Sequence, residues 1–278
     1  MDINLGEEKI VELVSPFSQD EIKEKALGKR LDAFGQLAKF MQRPKLDEIE
    51  ITQSEKRYEP FWFGEASAHY TYDRRHRYEV PVALEVQSVT IYDQEHPIQN
   101  GHGRLFQLDA VEHCVETLTR QLMLDPVRGE ERDYGKYLTF GKKDVPDLEA
   151  LRADGAAVIS PDVRSSFLVR KLAQQLIKTF QADKIYEERI DVDPVILYYR
   201  PVYAFEYYWK PKDKRSTVEF DALTGEVRAE AGQLKKQVVN VLENDVLFDI
   251  GADAIGTVLP GANVAVKLGR LAARRVVR

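Results

Sequence analysis

The stretch YYRPVYAFEYYWKPKDKRSTVEFD, residues 198–221, decides how the rest of the chain is read. Tyr, Val and Phe crowd its first half, the residue types that suit a pleated, half-buried surface. KPKDK then supplies turn chemistry, and STVEFDALTGEVR returns as a second run, so the stretch predicts an antiparallel hairpin. Alternation puts Tyr199, Tyr203, Phe205, Tyr207 and Trp209 on one face and Arg200, Val202, Ala204, Glu206 and Tyr208 on the other. The aromatic face has two readings: a core packed on its own helix, as large aromatics usually are, or an exposed binding surface.

Working upstream, KRYEPFWFGEAS reuses the spacing of this stretch. Shifted by 141 positions, Ile49-Glu50-Ile51 falls on Ile190-Asp191-Val192, Tyr58 on Tyr199, Pro60 on Pro201, Trp62 on Tyr203 and Glu65 on Glu206. A constant offset is the mark of internal duplication. Proline cannot donate to a strand ladder, so Pro60 and Pro201 are each expected at a strand start or a sheet edge.

Each copy is preceded by a helical stripe: Leu27, Leu31, Phe34, Ala38 and Met41, stopped by Pro44, in the first, and Val169, Leu172, Leu176 and Phe180 in the second. Between the copies, Asp109 and Glu112 have the spacing of a capping box. Val111, Cys114, Val115, Leu118 and Leu122 would line the inner face of the helix it opens. The expected fold is therefore α+β, two tandem helix-plus-antiparallel-sheet units with a C-terminal helical tail. A first unit covers residues 1–125, a polar connection 126–160, a second unit 161–238 and the tail 239–278.

At PVYAFEYYW, the charged turn, TVEFDA and the closing TGEV, the second copy resembles the PepSY domain over about residues 166–228, with a diverged relative at about 25–82. The resemblance implies a non-catalytic module that docks on a protein partner or inhibits a peptidase. No peptidase follows in this sequence, which favours the docking role.

Composition narrows the function classes. A net charge of −6 over 278 residues gives no global basic field for nucleic acid, and 44% hydrophobic residues support a sizeable core. The single Cys114 excludes an intramolecular disulfide framework and fits a reducing compartment such as the cytoplasm. The acidic N-terminus lacks the pattern of a secretory signal, and Ala254–Val266 is too short to span a bilayer.

No nucleophile, phosphate-binding or dinucleotide motif occurs, so neither a catalytic residue nor a cofactor is predicted. All five histidines lie between His69 and His113, and they read as surface residues rather than metal ligands. Glu65 and Glu206 are the one pair a pseudo-twofold axis could bring together as acid and base.

The tail is electrically split: residues 239–266 carry four acidic side chains and no basic one, and residues 267–278 carry five basic ones and no acidic one. The expected function is a protein-binding scaffold or regulatory protein that engages a partner or a second copy of itself. Tyr58, Trp62, Tyr199, Tyr203 and Trp209 are its candidate binding residues, with Lys267, Arg270, Arg274 and Arg275 on the tail. A peripheral membrane protein held by that basic tail is the alternative, and a hydrolase the third reading.

Overall fold

From Pro60 to Tyr72 every second residue is Pro, Trp, Gly, Ala, Ala, Tyr or Tyr, and all seven are buried. That period-two pattern is the centre of one 33-residue strand, around which the fold is organised. In the computed structural model, which describes residues 1–100, 103–153, 155–228, 248 and 265–268, the elements follow in this order. They are β1 (Asp2–Leu5), β2 (Glu8–Val14), α1 (Gln19–Gly28), α2 (Gln36–Met41), β3 (Ile49–Pro81), β4 (Ser88–Ile91), β5 (Gln94–Pro97), β6 (Gln99–Asn100) and β7 (Arg104–Asp125). Then come β8 (Glu130–Glu131), β9 (Gly141–Val145), α3 (Leu148–Arg152), β10 (Ala157–Val158), α4 (Ser165–Leu176), β11 (Lys184–Val192), β12 (Val195–Trp209), β13 (Lys214–Asp221) and β14 (Ala265–Leu268).

Twelve of these strands form one mixed sheet with β3 as its spine, and β4 and β5 make a separate hairpin. Along one edge of β3, β12 pairs antiparallel with Ile49–Phe63 and β11 with residues 66–73. Along the other edge lie β10, at Arg57 and Tyr58, and β7, from Trp62 to Pro81. The expected pair of helix-plus-sheet units is thus overturned: the chain is mainly β, and its two halves share a single sheet. The segment read as a polar connection supplies β8, β9, α3 and β10 to the same body.

The two copies of the aromatic motif lie side by side. Tyr58 pairs with Pro201, Pro60 with Tyr199, and Glu59 with Arg200 between them, so a local twofold axis passes between Glu59 and Arg200. The surrounding elements do not follow that symmetry, since the first copy is one unbroken strand and the second is split between β11 and β12. Both prolines sit inside strands rather than at their starts. Each lies at a junction between partners: Pro60 between β10 and the end of β7, Pro201 between the last pair with β2, at Tyr199, and the first with β13, at Val202. A missing N–H at such a junction breaks no ladder.

The break between β11 and β12 is matched in their parallel partners. β1 pairs with β11 and β2 with β12, and the two pairs are separated by Gly6-Glu7 and Asp193-Pro194. Gly6 N–H donates to Val192 O at 2.8 Å and Val195 N–H to Glu7 O at 2.9 Å, so both strand pairs bend together. A Cβ on Gly6 would come within 2.7–2.8 Å of backbone atoms of Val192, Asp193 and Pro194. Only glycine fits there.

One face of the sheet carries the helices. α4 lies over the small-residue trough of β3, where a Cβ on Gly64 would meet Leu168 and Leu172 at 2.9–3.0 Å, and its Val169, Leu172 and Leu176 are buried as their spacing predicts. Phe180 lies beyond the helix end, against the rings of Tyr70 and Tyr72. α1 buries Ile22 and Ala26 against Tyr203, Phe205, Tyr207 and Trp209. The first stripe is not one helix: α1 ends at Gly28, a run of turns reaches Gly35 with φ +88°, and Met41 at the end of α2 is exposed. The opposite face is covered by a 3₁₀ turn, Gly135–Thr139, whose Tyr137 packs with Tyr134, Phe61 and Tyr198.

Two further expectations are corrected. The predicted helix from Asp109 is strand β7, with Glu112, Cys114, Glu116 and Leu118 half-buried and Val111, His113, Val115 and Thr117 exposed, a period of two. In the tail, residues 265–268 are not helical but form β14, parallel to β1, with Lys267 in register with Asn4. Arg270, Arg274 and Arg275 lie outside the described residues.

Candidate functional site

The aromatic residues read as a binding face are core. Tyr58, Trp62, Tyr199, Tyr203 and Trp209 are all buried, the most exposed being Tyr203 at 6%, and polar tips at this depth require partners. Trp62 Nε1 donates to Val163 O at 2.7 Å, Tyr58 Oη to Glu12 at 2.6 Å, Tyr199 Oη to Ile159 O at 3.2 Å and Trp209 Nε1 to Glu48 at 3.2 Å. The hairpin between β12 and β13 forms as its sequence predicts, with a turn at Lys210–Lys212 and Asp213 in the left-handed region. Asp221 closes its far end, accepting from the N–H groups of Leu223 and Thr224 ahead of Gly225 at φ +71°.

Two charged assemblies were not anticipated from sequence. The first lies on the sheet face away from the helices, at the local twofold axis. Three guanidiniums, Arg57, Arg200 and Arg228, meet three carboxylates, Glu59, Glu219 and Asp221. Arg200 donates to Glu59 at 2.9 Å and to Tyr137 Oη at 2.6 Å, Arg57 reaches Glu219 at 2.6 Å and Glu59 at 2.9 Å, and Arg228 reaches Glu59 at 2.7 Å. Tyr137 Oη in turn donates to Asp221.

Burial pushes the Glu59 carboxyl toward the neutral form, but Arg200, Arg228 and Arg57 outweigh it and hold Glu59 below the usual carboxylate range. Burial raises the Tyr137 phenol to about 12, helped by its bond to Asp221 and opposed by Arg200. The assembly is neutral in sum and roofed by the rings of Tyr134 and Tyr137 over Arg200, at 5.7 and 4.9 Å. The network is charge-balanced and largely buried, with Arg228 its most exposed member, and removing one partner would leave an uncompensated charge inside the protein.

The second assembly is open. β3 loses its β11 partner after Asp73, yet it continues with β7 to Pro81 as a two-stranded arm of about 25 Å at ~3.3 Å per residue. Residues 74–79 are all exposed. At the arm's tip Phe106 is buried beside His96 of β5, with ring centroids 5.9 Å apart.

The arm is rich in basic side chains along β3: Arg74, Arg75, His76 and Arg77 in succession. Arg74 pairs with Glu112 at 2.5 Å and Arg77 with Asp109 at 2.6 Å. Hydrogen bonds from Tyr78 and then Arg74 lower the Glu112 carboxyl, and the bond from Arg77 lowers Asp109. Arg75 differs: its main-chain N–H is taken by Asp183 at 2.5 Å, and its guanidinium has no partner among the described residues. Arg75 and His76 line two clefts. One of about 590 Å³ is shared with Arg77, Asp109, Ala110 and Val111. The other, of about 570 Å³, is shared with Arg74 and residues 180–183.

The remaining candidates are dispersed. Glu65 accepts from Gln121 and Glu206 from Thr52 and Arg215, and each occupies a different part of the sheet, so they form no acid–base pair. His69 sits among Ser67, Thr117 and Asp191, and His113 bonds Asp73 at 2.7 Å. Among the described residues no three His, Cys, Asp or Glu side chains converge on a point that could hold a metal ion. Nor is any helix among them long and apolar enough to cross a membrane.

Comparison with family models finds no match to this sequence, and comparisons with curated proteins and with solved structures find none either.

Proposed function

We propose that this chain is a non-catalytic binding protein, a scaffold or regulatory component of a reducing compartment such as the cytoplasm, that holds an acidic partner on the arm formed by β3 and β7. The observation that carries this reading is the guanidinium of Arg75, exposed, unpaired among the described residues and flanked by two clefts. An exposed cation beside open volume attracts a carboxylate or phosphate at short range and steers its approach at longer range. The reading accords with the docking role that the PepSY resemblance of residues 166–228 implies, while moving the contact from the aromatic residues to the arm.

The test uses a fluorescent Glu-rich decapeptide as probe. Its anisotropy should rise with added protein, and the rise should weaken between 20 and 300 mM salt, since exposed charges are screened over about 8 Å at physiological ionic strength. Arg75→Glu should abolish the rise, whereas Arg215→Glu, at a distant exposed position, should not. Equal behaviour of the two variants refutes the arm as the site. Turnover in a broad hydrolase panel refutes the non-catalytic reading.

A further inference from the structure

We infer that two copies of this chain associate through the outer edge of β7, pairing antiparallel about a twofold axis at Leu118. On its inner edge β7 is bonded to β3 over its whole length. Among the described residues its outer edge pairs only with β6, at Arg104 and Leu105, and with β8, at Leu124 and Asp125. Among the described residues the backbone between these points has no strand partner. Unpaired edges of this length are templates for another strand, and proteins normally blunt them with proline, bulges or a covering element. β7 from Phe106 to Met123 contains no proline, and its pairing with β3 has no register shift.

The polarity of the edge follows from its ends. Met123 O accepts from Arg132 N–H on the outer side, and hydrogen-bonding direction alternates along an antiparallel strand. Thr117, Thr119 and Gln121 therefore present their N–H and C=O groups outward. One of these carbonyls, on Thr119, is occupied by the guanidinium of its own neighbour Arg120, at 3.0 Å. Arg120 is exposed and has no carboxylate partner among the described residues.

The sequence of the edge is self-complementary about an axis at Leu118. With Leu118 opposite Leu118 of the second copy, Glu116 faces Arg120, Thr117 faces Thr119 and Cys114 faces Leu122, each twice by symmetry. Opposite charges and Thr–Thr pairs placed directly across are favourable. The alternatives two residues away set like charges together: an axis at Glu116 opposes Glu116 to itself, and an axis at Arg120 opposes Arg120 to itself. Glu116 already accepts from Tyr72 Oη and pairs with Lys178 of its own chain, so in the Leu118 register Arg120 leaves Thr119 O to join that carboxylate on the second copy as a further donor, and the freed carbonyl accepts from the Thr117 N–H. The contact is isologous, so it closes at a dimer instead of propagating. It is separate from the arm's cationic residues and stands or falls independently of what they bind.

Sedimentation equilibrium of the full chain from 1 to 100 μM should show a mass moving from one chain to two. Thr117→Pro removes an outward N–H without touching the β3 ladder, so it should give a monomer with an unchanged circular dichroism spectrum. Arg120→Glu should weaken association about tenfold or more by setting carboxylates opposite each other. In a Cys114→Ser background, Leu118→Cys should cross-link under mild oxidation and Val115→Cys should not. A wild-type chain that stays monomeric throughout, or a dimer indifferent to Thr117→Pro and Arg120→Glu, overturns the proposal and leaves this edge to another occupant. Cross-linking from position 115 in preference to 118 overturns the register.

Discussion

Gly6→Ala is the smallest change that probes the bend shared by β1–β2 and β11–β12. The added Cβ would lie 2.7 Å from Asp193 C and 2.8 Å from Pro194 N and Val192 O. All three are backbone atoms, so no side chain can rotate away. Forcing a methyl into a packed site costs about 1–3 kcal/mol, and this site belongs to the upper part of that range. Relief by moving the strand lengthens the 2.8 Å Gly6 N–H to Val192 O bond, adding about 1 kcal/mol. The expected loss is about 2–4 kcal/mol, which for a domain of this size lowers Tm by roughly 5–10 °C. Gly28→Ala is the control. Gly28 ends α1, and a Cβ there meets nothing within 4 Å, so the same substitution should be neutral or stabilise by about 0.5–1 kcal/mol. Urea denaturation of both variants beside the parent gives the comparison. If Gly6→Ala unfolds at the parental midpoint, the two strand pairs are not held in contact at the bend, and close packing at Gly6 is not what breaks the strand between β11 and β12.

Trp62→Ala should cost about 3–5 kcal/mol, because the indole is fully buried between β3 and the residues leading into α4; full stability in a thermal melt would place the ring at the surface instead. Glu59 sets an acid limit. Its folded-state carboxyl lies below the ordinary value, so its stabilising contribution is complete above the ordinary carboxylate range and is lost as pH falls through the lowered one. Melts between pH 7 and 3 should therefore show a steep acid limb that flattens in Glu59→Gln, a variant already weaker at pH 7; parallel curves would mean that other carboxylates set the limit.

What the sequence showed of this fold was local. The hairpin from β12 through Lys210–Lys212 to β13 was legible because turn residues and alternation agree there. Helix α4 was legible because Val169, Leu172 and Leu176 keep a helical period in a stretch free of glycine and proline. β7 was not, since VEHCVETL satisfies a helical stripe and a strand alternation equally. Its β-branched residues Val111, Val115, Thr117 and Thr119 were the available arbiter.

The repeated motif did not indicate the fold, because its two strands pair within one sheet. Two similar strands can duplicate a fold or pair with each other, and an offset carries no information about which. Gly64, Ala66 and Ala68 are poor strand formers in isolation, and their role is spatial, leaving room for α4. The cationic run of β3 was visible residue by residue. That it stands clear of the body depends on β11 starting opposite Asp73, a pairing more than 100 residues distant in sequence.

The spine strand β3 also dictates a timetable. Its hairpin partner β7 follows within a few tens of residues, so that pair forms locally as the chain is made. Its other edge waits for β11 and β12, which end about 85 residues after Asp125. At a synthesis rate of roughly 5–20 residues per second, that edge stays unpaired for about 4–17 s on every nascent chain, with Trp62, Tyr70 and Tyr72 uncovered until α4 arrives. β1 and β2, made first, wait longer still to join the spine: β2 can meet β9 earlier, but β1 reaches β3 only through β11 and β2 only through β12. A cell producing this protein must shelter the ribosome-bound first half from neighbouring nascent chains, and crowded polysomes or fast translation should cost it yield before any change in the stability of the finished molecule does.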